Sequence, residues 1–153
     1  MALINKSRIP TKKLEKLIEF CRPKSLNLDN TDIIVKNCKT FWSCDFHYGN
    51  YAIPYVILRF DYNKKHYPLE FSLRSDKKLR TGYHGEYSFS DFWSMAVFTT
   101  RHELAHIQQY NDPIKRQQLY HNLKICEQWA DKVAFKKLKE YKKLKDNGID
   151  PLK

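Results

Sequence analysis

An α+β domain is what this sequence predicts, and three observations carry that expectation. Strand-like segments crowd the chain before Ser90, helical periodicity runs from there to the end, and no linker separates the two. At 153 residues the chain has the size of one domain, so residues 1–153 are expected to share a single core.

The elements follow in order. Thr11–Cys21 reads as a short helix: Thr11 can cap it, Leu14, Leu17, Ile18 and Cys21 form its apolar stripe, and Pro23 ends it. Asp32–Cys38 is a β-branched run and reads as a strand. Tyr55–Asp61 puts Val56, Leu58 and Phe60 on one face, and an Asn63-Lys64-Lys65 turn follows. Tyr67, Leu69, Phe71 and Leu73 then alternate with Pro68, Glu70, Ser72 and Arg74. These two runs predict a β-hairpin, with Pro68 marking a free edge. Gly82 and Gly85 lead into a last short strand, Glu86–Phe89. Ser90 is the expected N-cap of a helix over Asp91–Tyr110. Asn111-Asp112-Pro113 breaks the pattern and restarts it with proline in the first turn, giving a second long helix to about Asp146, with Gly148 as its stop.

Composition excludes several classes. At 42% hydrophobic and 14% aromatic residues the chain is too apolar to be disordered. No run approaches the ~18 apolar residues of a membrane span. The opening residues lack a secretory pattern, so a cytoplasmic protein is expected. Cys21, Cys38, Cys44 and Cys126 form no CxxC and are expected as free thiols, with a Cys38–Cys44 pair conceivable only in an oxidising compartment. The net charge of +11 is concentrated in two flanks: seven Lys/Arg against two acids in residues 1–25, and seven against three in 136–153. Such flanks are ordinarily solvated helix faces. The alternative is weak, non-specific contact with nucleic acid, which needs the first and last helices to lie side by side.

The chemistry concentrates in Arg101-His102-Glu103-Leu104-Ala105-His106, which contains HExxH. Histidines at i and i+4 stand one above the other on a helix, so both imidazoles can reach one metal ion, while the intervening Glu103 can take a proton from a water bound there. Trp93, Val97, Thr100, Leu104 and Ile107 form a separate stripe, so His102 and His106 are expected to face a cleft. Glu127 and Asp131 stand four residues apart on one face of the next helix. Catalytic zinc takes three protein ligands and keeps a fourth position for water; His102, His106 and Glu127 supply three, and Asp131 can hold the far nitrogen of one histidine.

HELAH followed by EQWAD resembles the gluzincin branch of the zincin metallopeptidases, whose pattern is HExxH with a later ExxxD or ExxA, and the short length is similar to that of the minimal gluzincins. The resemblance covers roughly residues 11–140. It implies a zincin-like core, in which a helix and a small twisted sheet precede the HExxH helix and the glutamate ligand comes from the next helix. It further implies one zinc per chain held by His102, His106 and Glu127, Glu103 as general base, and Asp131 as outer partner. A peptide or protein substrate would lie along an edge strand in Tyr83–Phe89. The family's transition-state donor has no clear match: Tyr110, Tyr120, His121 and His84 are open, with Tyr120 and His121 preferred. Two rival readings stand beside it. One is a SprT-like protease acting on DNA-associated proteins, in which His121 replaces Glu127 as third ligand. The other is a latent or non-catalytic zincin-shaped binding module, with the residues after Asp146 as a possible plug of the cleft.

Overall fold

The computed structural model describes residues 1–38, 43–47, 55–73 and 85–153. The strands are β1 (Ala2–Lys6), β2 (Asp32–Asn37), β3 (Ser43–His47), β4 (Tyr55–Phe60), β5 (Leu69–Leu73) and β6 (Gly85–Phe89). The α-helices are α1 (Thr11–Cys21), α2 (Phe92–Asn111), α3 (Pro113–His121) and α4 (Leu123–Asp146). The result is a small mixed α/β domain, compatible with the α+β expectation. No described helix is long and apolar enough to cross a membrane.

One sheet has the order β1-β2-β4-β3, with β1, β2 and β4 parallel and β3 antiparallel at the edge. Its register sets Ile33 beside Val56 and Val35 beside Leu58, so buried side chains of neighbouring strands line one face. That face packs with Leu14, Leu17 and Ile18 of α1 and with Met95, Val97 and Leu104 of α2 in the main core. Phe60 meets Phe92 edge-to-face at 5.6 Å between ring centroids.

The expected hairpin does not form. β4 pairs with β2 and β3, Lys64–His66 makes a 3₁₀ turn, and β5 pairs instead with β6 in a separate two-stranded sheet. The cause lies in β4 itself: Ile57 is buried as well as Val56 and Leu58, so the strand is covered on both faces and flanked on both sides. Pro68 lies just before β5, where no ladder donor is needed.

Two helix boundaries also differ from expectation, and a third matches it. Asp91, not Ser90, caps α2: its carboxylate accepts from the Ser94 amide at 2.7 Å, and Ser94 Oγ accepts from the Asp91 amide at 3.3 Å. Asp91→Ala is expected to cost about 0.5–2 kcal/mol and Ser90→Ala little, which urea midpoints of the two variants will test. The expected single helix from Pro113 to Asp146 is split at Asn122, whose side chain accepts from the Ile125 amide and starts α4 afresh. Gly148, at φ +77°, ends α4 as expected, with its amide and that of Ile149 closing on Lys145 and Leu144 carbonyls.

The residues after α4 do not plug a cleft but pack back on the fold. Leu152 is buried in the main core, and its carbonyl accepts from Lys13 Nζ at 2.9 Å. Cys21 and Cys126 are buried thiols, and burial pushes Cys21 up to about 12, which makes it inert as a nucleophile. The side chain of Cys44 lies outside what is described.

Candidate metal centre

α2 runs through the middle of the domain. Between Phe92 and Gln109 it is buried on nearly every side, because α1 and the sheet cover one flank and α4 the other. The expectation of a one-sided apolar stripe is therefore corrected, and the cleft that the histidines face is the narrow seam between α2 and α4. His106 and Glu103 are each only 5% exposed, and they point into the α2–α4 seam rather than out of it. Phe98 lies one turn before His102, its ring 6.3 Å from the imidazole and 5.6 Å from Phe135 of α4.

Across that seam, α4 delivers two carboxylates four residues apart. Glu127 straddles the histidines: Oε2 lies 3.3 Å from His102 Nε2 and Oε1 lies 3.3 Å from His106 Nε2. The two Nε2 atoms are 3.2 Å apart. His102, His106 and Glu127 thus form a three-residue cluster able to hold a metal ion. Glu103 Oε1 is 4.0 Å from His102 Nε2, beside the cluster. Glu127 comes not from the next helix, as expected, but from the one after the short α3.

The far side of each imidazole decides what its near side offers. Asp131 Oδ1 lies 2.9 Å from His102 Nδ1, in ion-pair contact with it. A carboxylate only accepts, so the proton belongs on Nδ1. His106 Nδ1 is 2.8 Å from Gln109 Oε1, and Gln109 Nε2 donates to the Cys126 carbonyl at 3.1 Å. A carbonyl also only accepts, so the amide orientation follows, and with it the proton on His106 Nδ1. Both Nε2 lone pairs therefore face one another and a carboxylate at 3.2–3.3 Å.

Three electron-rich groups so close require positive charge between them. In protons alone, burial would lower His102, but Asp131, Glu127 and Glu103 outweigh it and hold the imidazole up to about 10. Burial likewise opposes ionisation of Glu127, yet the two histidines hold it well below the usual carboxylate range. A divalent cation fits the same need. Four ligands about 2.0–2.1 Å from a tetrahedral ion are about 3.3–3.4 Å from each other, close to the separation of the two Nε2 atoms and of each from its nearer Glu127 oxygen.

The chain has no match among protein-family models, curated proteins or solved structures.

Of the other expected residues, His121 is exposed on the last turn of α3 and is not part of the cluster. The side chain of Tyr120 lies outside what is described, and so do Tyr83 and His84. Tyr110 carries the Arg116 guanidinium over its ring at 4.5 Å. A cavity of about 630 Å³ is lined by Arg8, Asn37, Cys38, Asp61, Tyr62 and Asn63, at the ends of β2 and β4. No residue of the cluster borders it.

Gln109 is the residue that sequence reasoning missed. Its signal was present: it stands three residues after His106, on the same face of α2. Gln109→Leu is expected to leave the His106 ring N–H and the Cys126 carbonyl unpaired, costing about 1–3 kcal/mol, and to weaken metal binding about 10–100-fold. A thermal melt and a zinc titration of the variant will test both numbers.

Proposed function

We propose that the chain is a zinc-dependent metallopeptidase of the gluzincin type, holding one zinc through His102, His106 and Glu127. The observation that carries this reading is the convergence of the two Nε2 atoms, 3.2 Å apart, on the Glu127 carboxylate, each 3.3 Å from a different one of its oxygens, with Asp131 and Gln109 against the outer ring nitrogens. Hard and borderline cations differ in their donors, and two imidazoles with one carboxylate suit zinc better than magnesium or calcium.

When bound, zinc acidifies a water to a pKa near ~7 and polarises a carbonyl. The chain's residues do the rest. Glu103, next to the ligand His102, is the general base: its carboxylate takes the proton of the attacking water and hands it to the departing amine nitrogen. Asp131 and Gln109 keep His102 and His106 turned with Nε2 inward. For the substrate, the resemblance indicates residues 83–89. The described part of that segment, β6, touches α2, as does β3, the antiparallel edge of the larger sheet. Either offers backbone against which an extended peptide can lie. Tyr120 and His121 stay as proposals for the oxyanion donor, the exposed position of His121 lending it little support.

The SprT-like alternative needs His121 as third ligand, and Glu127, in contact with both histidines, argues against it. One observation favours the non-catalytic alternative: Glu103 and His106 are both buried, as suits a structural metal. The experiment that tests the proposal is elemental analysis of the purified protein together with hydrolysis of a peptide library. One zinc and metal-dependent cleavage support the peptidase. Zinc without cleavage favours the structural reading, and no zinc after dialysis against it removes both.

A further inference from the structure

Eight lysines lie on α4, and they fall into two kinds. Some are tied into the fold. Lys137 Nζ sits 4.1 Å above the Phe20 ring and 3.0 Å from both oxygens of Glu140, and Lys145 Nζ reaches Asp150 at 3.8 Å. Lys132, Lys136, Lys139 and Lys143 are different. All four are exposed, and among the described residues none of the four ammonium groups has an ion-pair or hydrogen-bond partner.

Their spacing of 4, 3 and 4 places them in one narrow stripe. It lies opposite the face that buries Ala130, Ala134, Leu138 and Tyr141, and runs for about 16 Å along the helix. Like charges at this spacing repel one another and weaken the helix that carries them, unless an anion sits over them. Acidic neighbours do little to quench the stripe: Glu140 is occupied by Lys137, and Asp146 stands only at its far end.

We propose that this stripe is a nucleic-acid-binding surface that grips the phosphate backbone without reading bases. A duplex carries one negative charge per ~1.7 Å of axis, so a stripe of this length meets more phosphates than it has lysines. A membrane is the poorer fit. Amphipathic helices that lie on bilayers expose an apolar face, whereas the apolar face of α4 is spent in the core, and its one exposed large apolar residue, Ile125, precedes the stripe. α1 contributes less than its charge suggested. The two helices do meet, Phe20 lying 6.0 Å from Tyr141. Yet Lys13 is taken up by the Leu152 carbonyl, and Lys12 and Lys16 alternate with Glu15 and Glu19. The stripe also faces away from the side of α4 that meets His102 and His106, so a bound polyanion leaves the metal cluster uncovered. The inference stands whether or not the cluster is catalytic.

The test is fluorescence anisotropy of a labelled mixed-sequence duplex between about 50 and 200 mM salt. The wild type is expected to bind weakly, with a log–log salt slope of about −3 to −4, an affinity loss on the order of a hundred-fold over that range. The K132Q/K136Q/K139Q/K143Q protein should lose the binding and most of the slope. A control, K12Q/K16Q/K24Q/K124Q, removes the same charge from exposed lysines elsewhere and should retain both. Circular dichroism checks each fold; should the quadruple variant fail to fold, K136Q and K139Q singly should each reduce the slope by about 0.9. Equal loss in the control would reduce the effect to net charge and overturn the proposal. So would absence of binding at low salt, or displacement of the duplex by phosphatidylserine vesicles of matched charge, which would transfer the stripe to a membrane.

Discussion

A Glu103→Gln protein is expected to keep its fold and its zinc while losing peptide hydrolysis by a factor on the order of 10²–10⁴. The amide is nearly isosteric with the carboxylate, so the buried position between α2 and α4 is refilled without a cavity. What it cannot do is accept a proton. Glu103 Oε1 lies 4.0 Å from His102 Nε2, beside the place where a ligand water would sit rather than within the ligand set, so its loss should spare metal affinity. Initial rates on a peptide library, read together with zinc content and thermal midpoint, give the answer. Equal rates in wild type and variant would move the base to another residue.

The second large effect belongs to Glu127. Glu127→Ala removes one of three ligands and the anion that offsets two facing lone pairs, so zinc binding should fall by more than the 10–100-fold that an outer partner is worth. His121→Ala should leave zinc in place, because His121 is exposed on α3 and outside the cluster. The pH dependence has a fixed sign. Asp131 and Glu127 hold His102 up to about 10, so metal uptake at neutral pH must displace a proton, and affinity should weaken as pH is lowered. Competition with a chromophoric chelator across roughly pH 6–8 measures all three. The reverse pattern, zinc kept without Glu127 and lost without His121, would shift the third ligand to His121.

The residues of the cluster were legible in the sequence because their geometry is local. His102 and His106 share a helix face by spacing alone, and Glu127 and Asp131 share another. Gln109 was harder to see, since its importance comes from the Cys126 carbonyl on a different helix, seventeen positions along. The burial of the site was not legible either. Helical phase separates His102 from the Val97–Leu104 stripe, but it cannot tell that α4 covers the remaining flank. Among the strands, the failures have separate causes. β1 carries weak alternation and is made a strand by a partner far along the chain, Ala2 by Asp32, whereas β3 alternates Cys44 and Phe46 with Ser43, Asp45 and His47, a short signal that was passed over. The near-continuous apolar run Tyr55-Val56-Ile57-Leu58 was a signature of a central strand, and treating it as half of a hairpin ignored Ile57.

Burial of α2 on nearly all sides also bears on how the protein moves. Its backbone amides from Met95 to Ile107 have no route to solvent short of separating α1, the sheet and α4 together, so they should exchange with deuterium only through global opening. The residues that would touch a cation are thereby carried on the least pliable part of the chain. Any adjustment to an incoming partner must come from α3, α4 or the strands beyond it, while the two imidazoles stay where the helix holds them.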